Sequence, residues 1–196
     1  MKESKIVFFT FVLFSFCFLI ITSCGNVFKP AEIPSANTKK ATNSNKGGII
    51  DCPEEIAAKA FEYAMLYDAA ETEYGYGAQD PLRAIRIDCS GLVIMCYTYA
   101  LEGTDYRLLE PDMASAYMYE HAATITDNPR HGDLIFMGGD NNDPTIFHIG
   151  IFDRFEGDEV YFIDSTSQGN INGVSARHYK KTNRKIKAYG IMKLKS

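Results

Sequence analysis

Cys89 lies in Asp88-Cys89-Ser90-Gly91, where a loop rich in Tyr and Gly runs into the apolar stretch Ser90 to Leu101. A thiol at a helix start points its sulfur at backbone N–H groups without a helical acceptor and at the positive end of the helix dipole. The dipole supplies ~1 kcal/mol, less than one pKa unit at ~1.36 kcal/mol each. A free thiol titrating near about 8.5 is only a few per cent ionised at neutral pH. A strongly activated thiolate therefore needs a cation beside it, and histidine is the usual one.

The chain has four histidines: His121, His131, His148 and His178. His148 sits mid-strand in the alternating run 145–153, with Gly150 leaving room beside the imidazole for a helix N-terminus. The next strand-like run, 160–164, ends in Asp164. Between them, Phe155-Glu156-Gly157 reads as a three-residue hairpin loop with Gly in the position that needs φ > 0. That loop pairs Arg154 with Asp158 and, counting back, sets His148 opposite Asp164. Directly opposed residues share a face with Cβ atoms about 5 Å apart, within reach of a hydrogen bond. A one-residue slip would turn Asp164 to the other face. The result is a Cys-His-Asp arrangement for nucleophilic catalysis on an acyl group. Cys89 would attack, His148 would take and return the proton, and Asp164 would orient the ring. The Cys89 N–H is a natural oxyanion donor. If Asp164 only orients, Asp164→Asn should keep much of the rate.

These residues need elements to hold them. Asp51 reads as the N-cap of a helix over about 52–69, with Ile56, Ala60, Tyr63, Ala64 and Leu66 at helical spacing. The run 90–101 is apolar nearly all round, so its helix must be buried at the centre of the fold. A shorter helix is expected over about 112–121, and strands over 133–137, 145–153, 160–164 and 186–194. Helices first and strands later indicate an α+β domain, N-terminal helices packed on an antiparallel β-sheet, over residues 50–196.

What precedes that domain reads as an address. Lys2 and Lys5 are followed by an apolar run from Ile6 to Thr22, the layout of a secretory signal. Ile21-Thr22-Ser23-Cys24 is similar to a bacterial lipobox, which makes 1–23 a lipoprotein signal peptide and Cys24 the lipidated residue. Residues 24–49, rich in Asn, Thr, Ser, Lys and Gly, read as a flexible tether to a membrane of the cell envelope. Residues 50–176 carry six Lys and Arg against 23 Asp and Glu, a balance that disfavours nucleic acid as a partner. Oligomeric state is silent in the sequence. Asp140-Asn141-Asn142-Asp143 lacks the alternating ligand spacing of a calcium loop and reads as a polar turn. Cys52 and Cys96 read as buried thiols, with a disulfide as the alternative. No metal site and no cofactor motif is expected.

Four stretches in order carry a resemblance: Tyr74-Gly75-Tyr76-Gly77, Asp88 to Val93, Gly132 to Phe136, and His148-Ile149-Gly150-Ile151. The chain resembles the NlpC-type family of papain-like cysteine peptidases, which cut the peptide stems of bacterial peptidoglycan. The resemblance implies a papain-like fold and a metal-free cysteine hydrolase that cleaves between D-γ-glutamate and the diamino acid of the stem. It also implies Cys89 as nucleophile, His148 as base and Asp164 in the third polar position. Tyr74 falls on a tyrosine of the oxyanion or substrate site, and Asp88 and Ser90 on residues that contact the amino end of the stem. Two departures stand out: the third position is more often His, Asn or Gln, and His131 replaces a proline before Gly-Asp-Leu. An amidase or acyltransferase on another acyl substrate, and a non-catalytic peptidoglycan-binding lipoprotein, remain the alternatives.

Overall fold

The computed structural model describes residues 47–79 and 86–196. The expected signal segment, Cys24 and the expected tether as far as residue 46 lie outside the described residues.

In chain order the elements are β1 (Ile49–Asp51), α1 (Glu54–Ala69), β2 (Glu73–Tyr74), β3 (Arg86–Ile87) and α2 (Cys89–Ala100). They continue with β4 (Arg107–Leu108), α3 (Ser115–His121), β5 (Ala123–Thr126), β6 (Leu134–Met137) and β7 (His148–Glu156). The last three are β8 (Glu159–Thr166), β9 (Gly173–Lys180) and β10 (Ile186–Lys195). The main sheet runs β1-β10-β6-β7-β8-β9, with β4 and β5 also pairing β10, and every pair in it is antiparallel. β2 and β3 form a separate parallel pair that sets Tyr74 beside Ile87. The architecture is α+β, as the order of elements in the sequence implies.

α2 is the hub. Leu92, Val93, Ile94, Cys96, Tyr97 and Ala100 are all essentially inaccessible, and the helix packs on α1, β7 and β8. An apolar side chain buried this fully stabilises by ~1.5–3 kcal/mol. β6 is buried at every position, which is why it reads as an unbroken apolar run. A second cluster of Ile135, Met137, Phe152, Val160 and Phe162 forms elsewhere on the sheet and is flanked by Tyr179, Ile186 and Tyr189.

Two local expectations need correction. Asp51 does not cap α1: it lies in β1 opposite Lys193, and its carboxylate accepts from the Thr124 hydroxyl at 2.6 Å. Pairing with β10 holds Asp51 extended, so α1 starts later, with the Pro53 carbonyl accepting from the Ile56 and Ala57 N–H groups. Leu66 is exposed, and the inner stripe of α1 uses Ile56, Ala57, Ala60, Ala64 and Tyr67 instead. β9 has no expectation behind it, because its sequence Gly-Val-Ser-Ala-Arg-His-Tyr-Lys shows no apolar alternation. Cys52 and Cys96 are both free and buried. Asp140 to Asp143 form a polar turn, with the Asp143 carboxylate accepting from the Thr145 N–H and hydroxyl at 2.9 and 2.6 Å.

Candidate active site

Asp88 caps α2. Its Oδ1 accepts from the Gly91 N–H at 2.7 Å and from the Ser90 hydroxyl at 3.0 Å. Its Oδ2 accepts from the Gly77 N–H at 2.7 Å, which ties the Tyr-Gly loop to the helix start. The Asp88 N–H in turn bonds the Ala78 carbonyl at 3.0 Å. Gly91 is required by this crossing, since a Cβ there would come within 2.3 Å of the Ala78 carbonyl oxygen. Asp88 and Ser90 thus build the turn that presents Cys89, whose own N–H and that of Ser90 have no acceptor within the helix.

Cys89 faces the ring of His148, which it influences both as a hydrogen-bond partner and through its charge. The Nε2 of His148 lies 2.6 Å from Oδ2 of Asp164, a carboxylate with no solvent exposure. A ring N–H donated to a carboxylate fixes the tautomer and leaves Nδ1 for the thiol. Burial opposes charge on His148 more than any other single influence. The hydrogen bonds to Asp164 and Cys89, with the charges of both groups, together outweigh it, and the ring is raised from 6.5 to about 9. The imidazolium therefore persists well above neutral pH. A reaction that needs it to protonate a leaving amine should keep its kcat/KM up to about pH 9 and fall beyond that, as a pH–rate profile would record. A fall beginning near pH 6.5 would mean that the ring is not held by its neighbours. Stability should follow the same sign. With a folded value above the unfolded one, the contribution of His148 is full below about pH 6.5 and disappears as the pH rises through about 9.

The contact between His148 and Asp164 is the expected one, but the register behind it is not. The hairpin loop has two residues, Gly157 and Asp158, with Glu156 paired to Glu159. Gly157 stands first, at φ +58, as a two-residue loop of this kind needs. Arg154 consequently faces Tyr161 rather than Asp158, a displacement of three residues that would turn Asp164 away. A β-bulge at Asp153 takes one residue back, so Phe152 pairs Phe162 and Ile151 pairs Ile163. The net shift is two residues, which preserves the face. Continued one step, that register sets Gly150 opposite Asp164 and makes His148 the diagonal neighbour. The bulge is held by His131, whose Nδ1 lies 3.0 Å from Oδ1 of Asp153 and 3.2 Å from its carbonyl oxygen. His131 also stacks against Phe61, with ring centroids 4.3 Å apart.

Gly150 leaves its space to Asp164 rather than to a helix. A Cβ on it would lie 3.1 Å from Cβ of Asp164 and 2.8 Å from the Ile163 carbonyl oxygen. Gly150→Ala should push β8 off β7 at this point. The expected result is a loss of roughly 1–3 kcal/mol in stability, together with a drop in kcat of roughly 100-fold. Thermal unfolding and turnover would measure the two separately.

Tyr74 lies on β2 next to this turn. Burial pushes its hydroxyl up, and the nearby charges of Cys89 and Asp88 push it further in the same direction. Asp133 serves the frame: buried completely, it accepts from the Arg130 guanidinium at 3.1 and 3.0 Å. His121 and His178 are exposed, pairing with Glu120 and Glu159.

Two participants escape a reading of the sequence. The Ser165 hydroxyl donates to the Ile87 carbonyl at 2.8 Å, tying the strand that bears Asp164 to the segment just before Cys89. Arg177 of β9 meets both carboxylate oxygens of Asp164. Neither residue lies in a motif, and Arg177 falls in the basic C-terminal stretch, where charge suggests a solvated face.

The NlpC/P60 family model matches residues 71–188, a span that holds Tyr74, the turn at Cys89, His148, Asp164 and Arg177. None of the curated proteins matches the chain. With more than half of its length inside that match, the chain belongs to the NlpC/P60 family.

Proposed function

We propose that this protein is a cysteine hydrolase of the cell envelope that cleaves peptidoglycan stem peptides. The bond we assign is the one between D-γ-glutamate and the diamino acid. The observation that carries the chemistry is the row Cys89, His148 and Asp164, with the ring raised to about 9 while largely buried. A family of cell-wall peptidases supports the substrate class. The arrangement also fits a papain-like domain, with the nucleophile at the start of a buried helix and the base on the sheet.

In the reaction, the Cys89 thiolate attacks the γ-carbonyl carbon of the glutamyl residue. The oxyanion that forms meets the free N–H groups at the start of α2, with Tyr74 beside them. His148 then passes its proton to the departing amine, and the C–N bond breaks to leave a thioester. Water enters, His148 removes its proton, and attack on the thioester releases the acid and restores the thiol. Asp164 holds the ring in one tautomer throughout. Asp88 and Ser90 shape the turn and lie toward the amino end of the stem. The apolar segment and Cys24 supply secretion and a lipid anchor, and the residues from Cys24 to the start of β1 the tether, which makes the domain extracytoplasmic.

The test is incubation of the full chain with purified muropeptides, read by mass spectrometry. Fragments ending in γ-D-glutamate are the expected result. Cleavage at the sugar–peptide junction instead would overturn the bond assignment and keep the chemistry. No fragments, with an inert Cys89 thiol, would overturn the enzyme reading altogether.

A further inference from the structure

Asp164 is completely buried, and its surroundings explain how a charge survives there. Oδ1 accepts from Nε of Arg177 at 2.8 Å, while Oδ2 is shared between Nη2 of Arg177 and Nε2 of His148. The Arg177 side chain is itself only 12% exposed. Its guanidinium carbon lies 5.3 Å from the Phe162 ring and 5.4 Å from the Tyr179 ring, and Nη1 donates to the Tyr179 hydroxyl at 3.2 Å. Among the described residues its ion pair is with Asp164 alone. Lys185 stands over Tyr179 at 6.0 Å from the ring centre, and the other group facing His148 is Cys89.

A carboxylate removed from water costs several kcal/mol unless a cation is fixed beside it. His148 cannot be that cation at every step, because it gives up its proton during turnover. Arg177 stays charged throughout, and its planar fork meets both carboxylate oxygens in a geometry that lysine cannot reproduce. We propose that Arg177 is a positioning residue of this site, whose guanidinium holds Asp164 as a fixed, ionised acceptor for His148. The working unit is then Cys89, His148, Asp164 and Arg177, whose charges cancel both with a neutral Cys-His pair and with a thiolate–imidazolium pair. This rests on the reading of Cys89 and His148 as the reacting pair. It also accounts for an acid in the third position: a neutral residue there needs no counter-ion, whereas Asp164 does.

The prediction is a background-dependent effect. In the native background, Arg177→Met strips Asp164 of its cation, and an isolated buried carboxylate favours its neutral form. With Asp164→Asn, the amide N–H₂ confronts the Arg177 donors, so removing Arg177 relieves a clash of donors.

The experiment measures carboxamidomethylation of Cys89 by iodoacetamide across pH in the full chain, on the peptide bearing Cys89. Arg177→Met is expected to slow labelling at neutral pH about tenfold or more, and to move the acid limb of the profile up by about one pH unit. In the Asp164→Asn background the same substitution should leave the rate unchanged or raise it. Equal slowing in both backgrounds, or an unmoved acid limb, would overturn the assignment. Arg177→Lys keeps charge and stem but loses the fork, and it carries the same comparison if the methionine variant does not fold. It should slow labelling in the native background and not in the asparagine one, and equal slowing in both overturns the proposal. The probe is not a peptide, so failure to cut muropeptides with this coupling intact would reject the substrate and leave Arg177 in place. An unreactive Cys89 in the native chain would reject both.

Discussion

Cys89→Ser is expected to lower muropeptide hydrolysis by roughly 10⁵-fold or more, the scale on which removing a nucleophile acts in a concerted catalytic row. The substitution changes one atom, so its effect isolates the chemistry. A thiol gives up its proton to His148 and attacks as an anion, and an alkanol at the same place does so far less readily. The His148 ring also loses one of the two partners that raise it to about 9. The fold should be indifferent. Asp88, not Cys89, caps α2, serine is tolerated in the first helical turn, and the side chain that changes size is 7% exposed at the helix start. Unfolding should therefore shift by less than about 1 kcal/mol. Turnover within tenfold of the native chain would remove Cys89 from the nucleophile role. Labelling with a thiol reagent, read peptide by peptide, gives an independent control. Burial pushes Cys52 up to about 12, with Asp133 adding to the effect, and burial pushes Cys96 well above the usual thiol range. Both should stay unlabelled in the folded chain, while Cys89 reacts.

Asp164→Ala should reduce kcat by roughly 10³-fold with little change in KM, since the residue orients His148 rather than touching substrate. It should also cost roughly 3–5 kcal/mol in stability, because Arg177 is left as a buried cation without its partner. Asp164→Asn separates shape from charge. An orienting role alone would let asparagine keep much of the rate, since an amide oxygen accepts from Nε2 as well as a carboxylate does. Arg177 changes that expectation. The amide has one acceptor atom where three donor contacts converge: Nε and Nη2 of Arg177, and Nε2 of His148. With its oxygen toward His148 it sets N–H₂ against Nε of Arg177, and with its oxygen toward Arg177 it favours the wrong tautomer of His148. Asparagine should accordingly lose roughly 100-fold or more in kcat, most of the way to alanine. Unchanged turnover in both variants would take Asp164 out of the site. Turnover retained only in the asparagine variant would mean that the amide and Arg177 accommodate one another.

The groups of the proposed reaction are local enough to be legible. A cysteine after Asp88 at the head of an apolar run must lie at a helix start, because the cap, the glycine and the apolar period all concern neighbouring residues. The α+β class, α2 as the buried centre, and strands β6, β7, β8 and β10 follow from patterning within each segment. The pairing of His148 with Asp164 was also legible, though by a route the fold does not take. A loop one residue shorter and a bulge at Asp153 each change the register, and only their combined, even shift keeps the two side chains on one face. Gly157-Asp158 is itself a two-residue hairpin signal, but the bulge could not be read from the run 148–164, since bulges depend on contacts from elsewhere, here His131 packed on Phe61 of α1. The same holds for Asp51, drawn out of a helix cap by pairing with β10, whose residues come at the end of the chain. Arg177 is the clearest case. In the sequence it is one of many basic residues near the C-terminus, and nothing beside it marks it as buried. It becomes part of the site only because β9 lies against β8, which places it across from Phe162 and its guanidinium against the Asp164 carboxylate. Residue types and short-range spacing therefore determined which groups the proposed reaction uses, while strand register and long-range pairing decided how they are held, because a register depends on loops and partners far away in the chain.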